Sequence, residues 1–367
     1  MTTVSERAAG AVIGALVGDA LGLGPHWYYD LGELHRDYGD WISGYTDPKP
    51  NRYHGGMKAG QLDQTGLLLV LLLRSVVANR EYNEDDFTRR LDEFFEQLDG
   101  TPMQGPGGYT SQSIREAFRR RTQRGLSWKE TGGHADTTEA AERAIVLAAR
   151  YALDPRKGAE AVSANCILTQ ADPAIVAMTT AYNAVLGLLV SGEKLDAAIS
   201  DKLMDLVEKG CLPFHTVTTN RLTPPRHGQP DPPNAGKFSS PDALLTPSYI
   251  AEAAADPDIR VDPAWKVSIV YGMPCAIYHQ LPAAYYLAAR FPDDFESAVL
   301  HAINGGGQNM ARACLTGALV GAQVGLSGIP QRFIDGLEDH SELVSLAKKL
   351  GELAALNPKS ESRSSAQ

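Results

Sequence analysis

The chain has 367 residues, of which 35 are Gly and 47 are Ala, so small residues fill 82 positions. It is 43% apolar and 21% charged, which excludes a disordered chain, and its Gly has no three-residue period, which excludes a collagen-like one. The formal charge of -10 argues against a nucleic-acid or membrane-surface role, because both need a basic face.

The first predicted helix covers residues 5–22. Gly10, Gly14, Gly18 and Gly22 recur every fourth residue and lie along one slowly drifting face. Each Gly costs up to ~1 kcal/mol of helix propensity relative to Ala, so the stripe predicts the close approach of another backbone. Asp19 interrupts the apolar stretch, and the N-terminus has no signal-peptide layout. Residues 64–78 are Leu-rich and predict a buried helix, with Asp63 at its N-cap position. The longest apolar run, Leu67 to Leu73, is too short to span a bilayer. Residues 85–98 predict an amphipathic helix, and Gly105 to Gly108 a flexible loop. Arg115, Arg119, Arg120, Arg121 and Arg124 read as a solvated helix face, with a phosphate contact as the alternative.

Ala-rich helices are predicted over 137–152 and 173–190, and an amphipathic one over 196–209. Thr223 to Gly236 form a Pro-rich loop. Helices follow over 280–290 and 293–303, then one starting near Gln308 and one over 341–355. The helix after Gln308 carries a second small stripe, Ala313, Gly317, Gly321 and Gly325, which is expected to pack on the first. Alternating strand patterns are almost absent, so the expected fold class is all-α, with residues 1–357 as one domain and a disordered Ser-rich tail over 358–367. Cys166, Cys211, Cys275 and Cys314 lie far apart without a CxxC pair, which reads as reduced thiols in a cytoplasmic protein.

Three segments place polar residues in small or apolar surroundings. The first holds Asp19 and His26, followed by Trp27, Tyr28 and Tyr29, which either stack a ring or join the core. The second holds Asp63, Gln64 and Thr65, where Asp63 is an N-cap or a catalytic group. The third runs from Asn304 through Gly306, Gly307, Gln308 and Asn309 to Arg312. Consecutive glycines before a helix N-terminus offer backbone N–H groups to a ligand, or else form a plain turn. His134, in a Gly-rich loop, is a further candidate. Such a cluster implies a ligand or mutual pairing, because a buried polar group without a partner costs about 1–3 kcal/mol.

These segments together resemble the ADP-ribosylglycohydrolase and J1-crystallin family over roughly residues 5–350. Gly14 to Gly22 match its Gly-x-x-x-Gly-Asp-Ala-Leu-Gly helix. Leu62-Asp63-Gln64-Thr65 stand at its Thr-Asp-Asp-Thr motif, and Gly306 to Ala322 match its closing Gly-Gly-Asp loop and small-residue helix in outline. The resemblance implies a compact all-α domain. It also implies two magnesium ions that bind ribose hydroxyls and a water and help cleave a glycosidic bond to ADP-ribose.

The chain departs from the family where that chemistry sits. Gln64, Gln308 and Met310 stand at carboxylate positions, Leu62 and Ala311 at hydroxyl positions, and His26 replaces a Glu. Thr169-Gln170-Ala171-Asp172-Pro173 lacks the family's His, and Arg143 lies near the place of a family Arg. A hard divalent cation needs anionic oxygens, so no metal site and no cofactor are expected. The sequence therefore favours a metal-independent enzyme acting on a small polar, nucleoside- or sugar-like substrate, with no nucleic-acid or membrane partner. Asp63 is the expected base and His26 the expected acid or second base, with Asp19 beside them. The alternatives are a magnesium-dependent ADP-ribosyl glycohydrolase and a non-catalytic, crystallin-like protein. A repurposed lyase or isomerase fits the same residues.

Overall fold

The structure is a computed structural model that describes residues 2–98, 111–214, 228 and 242–356. The predicted 105–108 loop and the 358–367 tail lie outside these residues, as does the 223–236 loop apart from Gly228. The described helices, in order, are α1 (Val4–Leu23), α2 (Leu31–Tyr38), α3 (Gln64–Asn79), α4 (Glu84–Phe95), α5 (Gln112–Phe118), α6 (Glu139–Arg143), α7 (Ile145–Arg150), α8 (Pro155–Ile167) and α9 (Pro173–Ser191). They continue as α10 (Ile199–Glu208), α11 (Asp242–Ala255), α12 (Val267–Tyr271), α13 (Ile277–Arg290), α14 (Phe295–Asn304), α15 (Asn309–Val324), α16 (Gln331–Asp335) and α17 (His340–Ala354). Among the described residues the β-structure amounts to two isolated bridges, Gly133 with Gln170 and Thr137 with Ala276. The all-α class read from periodicity is the class observed.

The two small-residue stripes meet. A Cβ placed on Gly14 would lie 2.1 Å from the Gly317 carbonyl oxygen, and one on Gly317 would lie 2.1 Å from that of Gly14. Gly10 faces Gly321 and Gly18 faces Ala313 in the same way, so α1 and α15 run antiparallel with their backbones in contact. The helix-propensity cost of the glycines is offset by this approach, which gathers dispersion contacts and buries both helices in the core. Arg7 donates from Nη1 to the carbonyls of Ala322 and Gln323, both at 2.9 Å, and so satisfies the last turn of α15. Antiparallel pairing has one consequence for function: it sets the C-terminal end of α1 beside the N-terminal end of α15.

Residues 137–152 do not form one helix. The chain stays non-helical to Thr138, then forms α6 and α7 with a break at Ala144. The fully buried Gln170 accounts for the late start. Its Nε2 donates to the carbonyls of Ala135 at 3.0 Å and Thr137 at 2.7 Å, and its Oε1 accepts the Ala140 N–H at 2.9 Å. A side chain distant in sequence has taken the backbone groups that a helix would use. Gln170→Ala strands two buried carbonyls and one N–H, and is expected to cost about 2–4 kcal/mol, read as a lower urea midpoint.

Helix α8 was absent from the periodicity reading, yet its start is coded locally. Asp154 accepts the Lys157 N–H and Pro155 takes the first helical position. Helix α9 is long and apolar enough to cross a membrane by length and composition, a feature the longest-run criterion passed over. In the fold, 67% of its most apolar window is buried within the protein.

Candidate functional site

The site forms where the end of α1 meets the starts of α3 and α6 and the turn before α15. The Asp19 carboxylate, at the buried end of α1, accepts the Asp63 backbone N–H at 3.0 Å. Asp63 then caps α3, with Oδ1 accepting the N–H groups of Thr65 at 2.6 Å and Gly66 at 3.0 Å. Gly66 is required here, since a Cβ would lie 2.5 Å from Asp19 Oδ2. Above this junction lies a cavity of about 230 Å³. Its lining includes Asp63, Gln64, Thr65, Glu139, Glu142 and Gln308, the rings of His26, Trp27, Tyr53 and His54, and Gln112 and Arg115.

A chain of hydrogen bonds fixes the aromatic side. The Trp27 indole N–H can only donate, and it meets Gln308 Oε1 at 2.6 Å. His26 Nε2 also faces that oxygen, at 3.1 Å, so it must carry the proton. Neutral His26 then accepts at Nδ1 from His54 Nε2–H, at 2.8 Å. Burial pushes the His26 pKa down to about 4 and that of His54 well down too, so both rings stay neutral at neutral pH. Trp27 stacks on His26 with ring centroids 5.0 Å apart and tilts against Tyr53 at 4.6 Å. Its backbone is left-handed, with φ +63°, a strained conformation for a bulky residue.

The acidic side behaves differently. Burial, reinforced by the neighbouring Asp63, raises the Asp19 pKa well above the ordinary carboxyl value. Burial also raises Asp63, but the hydrogen bonds from Asp19 and from the capping N–H groups oppose it. Of the two, Asp19 is pushed further toward its neutral form. Burial is also the main cause that pushes Glu142 up to about 8, with the charges of Glu139 and Asp63 adding to it. Glu139 accepts from the Ser113 hydroxyl at 2.8 Å and from the Thr137 hydroxyl.

Of the residues expected from sequence, His26, Asp63, Gln64, Thr65 and Gln308 share the cavity, and Asp19 sits directly behind Asp63. The others do not line it. Gly307 N–H donates to Tyr28 O at 2.7 Å, Gln308 N–H to Met273 O at 2.9 Å, and Gly306 N–H to Ile303 O at 3.4 Å. The glycine turn thus receives protein backbone where a ligand was expected, with Gly306 and Gly307 at φ +64° and +61°. Arg312 is wholly buried and donates to Gly306 O at 2.6 Å and Ala302 O at 3.0 Å, so it braces that turn. Asn304 clamps the backbone of Ile42, and Asn309 donates to Gly22 O at 3.3 Å, tying α15 to α1. His134 is exposed, and its N–H meets the Glu116 carboxylate at 3.3 Å.

Sequence reading missed Glu139, Glu142, Tyr53 and His54, and it set Arg115 on a solvated face. The structure splits that arginine cluster. Arg115 lines the cavity, Arg121 pairs with Asp92 at 2.7 Å, and Arg120 donates to the Gly132 carbonyl. Two glutamates in an Ala-rich helix were the available signal for the acidic side, because nothing on such a small-residue face shields them from the core.

The resemblance implied two magnesium ions, and the donor set does not fit them. Asp63 Oδ1 is occupied by two N–H groups, and Gln308 Oε1 by two ring N–H groups. Asp19 Oδ2 is engaged by the Asp63 N–H, and Met310 contributes only a thioether. Among the described residues no three His, Cys, Asp or Glu side chains are placed to hold a metal ion.

Comparison with known proteins gives matches to a family model, to a curated protein and to solved structures. The family model described as ADP-ribosylglycohydrolase matches residues 1–360. An uncharacterized protein of Archaeoglobus fulgidus is 23% identical over 352 residues, covering 95% of this chain and 97% of its own length. A solved structure titled ADP-ribosylglycohydrolase-related protein complex superposes with a TM-score of 0.59 at 17% identity, covering 96% of this chain and 100% of that one. At that identity the likeness is one of fold.

Proposed function

The chain belongs to the ADP-ribosylglycohydrolase family, and from that premise we propose that it is a metal-independent enzyme using acid and base chemistry on a small polar, nucleoside- or sugar-like substrate. The observation that carries this reading is the pairing of Asp63 with Glu142 on the wall of one cavity. Two carboxyls in contrasting surroundings divide into a base and an acid. Burial raises the Asp63 pKa, and the capping N–H groups oppose that rise and favour its ionised form. Glu142, held in drier surroundings, keeps its proton at neutral pH.

In this reading Asp63 takes a proton from the attacking water as its oxygen bonds to the anomeric carbon. Glu142 gives a proton to the departing oxygen or nitrogen as the glycosidic bond breaks. Asp19 is a positioning residue. The acid role expected of His26 passes to Glu142, because both His26 ring nitrogens are engaged and the ring is neutral. Trp27 and Tyr53 offer ring faces to a flat substrate group. The four unpaired cysteines support a reducing, cytoplasmic setting.

The test uses Asp63→Asn, because Asn caps a helix about as well as Asp but does not accept the proton. Purified protein is treated with a chelator and incubated with a panel of N- and O-glycosides, followed by mass spectrometry. Chelator-resistant turnover is expected in the parent, with a loss of about 10²–10⁴-fold in Asp63→Asn. Turnover that requires added magnesium, or that survives the substitution, contradicts the reading.

A further inference from the structure

We propose that Gln308 sets the specificity of the cavity: its amide Nε2 is a fixed donor that selects a ligand bearing an acceptor oxygen, a carbonyl being the plainest case. The proposal rests on the reading of this cavity as the substrate site, and it names the kind of substrate atom that Gln308 grips.

The neighbours of the amide fix which way it points. The Trp27 indole N–H can only donate, so the Gln308 atom 2.6 Å from it is the oxygen. His26 Nε2 faces the same atom at 3.1 Å. Both ring N–H groups converge on Oε1, and by exclusion the other end of the amide is Nε2. Among the described residues Nε2 donates to none, although Gln308 lines the cavity. Its two hydrogens are left for a ligand.

The donor is also held in place. Gln308 N–H donates to Met273 O at 2.9 Å, and Gln308 O accepts the Arg312 N–H at 3.3 Å. Trp27 is tied in turn by its backbone N–H to Gly307 O at 3.3 Å, and His26 by His54 at 2.8 Å. A side chain already ordered at its backbone and its carbonyl loses little freedom when a ligand arrives, so the bond it makes is not offset by ordering.

The choice of an amide is the second argument. A carboxylate in this place would receive the same two ring N–H groups, and more strongly, because its oxygens are charged. Bracing Trp27 and His26 therefore does not call for glutamine. What the amide adds is the N–H donor on the cavity side. An acceptor oxygen satisfies it, whereas a group that can only donate leaves it unpaired, and sites that hydrogen-bond their substrate discriminate in this way.

The experiment compares two neutral six-membered rings that differ at one substituent. Pyridine N-oxide presents an acceptor oxygen, and aniline presents N–H donors in its place. Both are titrated into the full chain at pH 8 with a chelator present, followed by NMR at the Trp27 indole N–H, and a crystal is soaked with pyridine N-oxide. Pyridine N-oxide is expected to bind about tenfold more tightly than aniline, with its oxygen within hydrogen-bond reach of Gln308 Nε2. Gln308→Glu keeps an acceptor for both ring N–H groups, which hold the new carboxylate ionised, and turns the donor into a second acceptor. It is expected to reverse the preference, and Gln308→Met to abolish it. Equal affinities in the parent, no binding, an N-oxide oxygen seated elsewhere, or a preference that survives Gln308→Glu would overturn the proposal. The parent ratio and the soaked crystal decide it even where a variant does not fold. Turnover is a separate readout. An N-oxide preference without glycoside turnover sinks the proposed reaction alone, and turnover without that preference sinks this proposal alone.

Discussion

Glu142→Gln is expected to make the protein slower and more stable at once. Glu142 is 3% exposed, and burial pushes its pKa up to about 8 from an ordinary 4.5. At pH 7 the unfolded chain carries this group ionised and the folded chain carries it protonated. A folded-state pKa above the unfolded one means that the folded state binds more protons, so stability falls as pH rises. The cost is absent below about pH 4.5, grows through the window up to about 8, and is constant above it. At pH 7, about 2.5 pH units above the unfolded value of 4.5, the cost is about 3 kcal/mol. A glutamine fills the same space without that cost. Urea midpoints should therefore favour the variant by about 3 kcal/mol at pH 7, with the gap closing toward pH 4.5.

The same change removes the proposed acid. A loss of about 10²–10⁴-fold in kcat is expected, together with loss of the alkaline limb near pH 8 from the parent's rate profile. Stability gained where activity is lost is the mark of a group retained for chemistry. A variant that is more stable yet fully active removes Glu142 from the reaction and leaves the burial argument intact.

The second large effect is expected at the crossing of α1 and α15. Gly14→Ala places a methyl 2.1 Å from Gly317 O, and Gly317→Ala places one 2.1 Å from Gly14 O. Neither obstacle is a side-chain tip that can rotate away, so the helices must separate and give up contacts along the stripe. Each variant is expected to lose about 3 kcal/mol or more, read as a lower melting temperature. The two losses should not add, because the first substitution already opens the space for the second. Gly187→Ala in α9 is the control. Its nearest obstacle is Ala148 O at 3.7 Å, an ordinary contact, so the alanine is expected to stabilise the helix by up to ~1 kcal/mol.

The comparison of Gly14 with Gly187 shows how far the sequence could be read. Four-residue spacing marked the stripe in α1, and a matching stripe marked its partner, because a helix presents every fourth residue to one neighbour. A lone Gly187 carries no such pattern, and only its surroundings reveal that it has room. Helix boundaries were legible where caps coincide with periodicity, as at Asp63 and α3. They were lost where a distant side chain intervened, as at Gln170 and the 137–152 segment.

The candidate site divides along the same line. Asp63, His26 and Gln308 were legible because their motifs are contiguous and their polar side chains stand among small residues. Glu139 and Glu142 carried only the weak signal of two glutamates in an Ala-rich helix, which does not tell an exposed face from one turned toward a buried cavity. Asn304 and Arg312 were legible as buried polar residues, but their partners are backbone carbonyls and N–H groups of other segments. Sequence alone determined that this is an all-α chain of the family whose first helix and the helix after Gln308 carry matching small-residue stripes for close packing, because periodicity and residue size act locally. The tertiary structure decided which acids share one cavity and which of them keeps its proton, because burial and proximity exist only once distant segments have met.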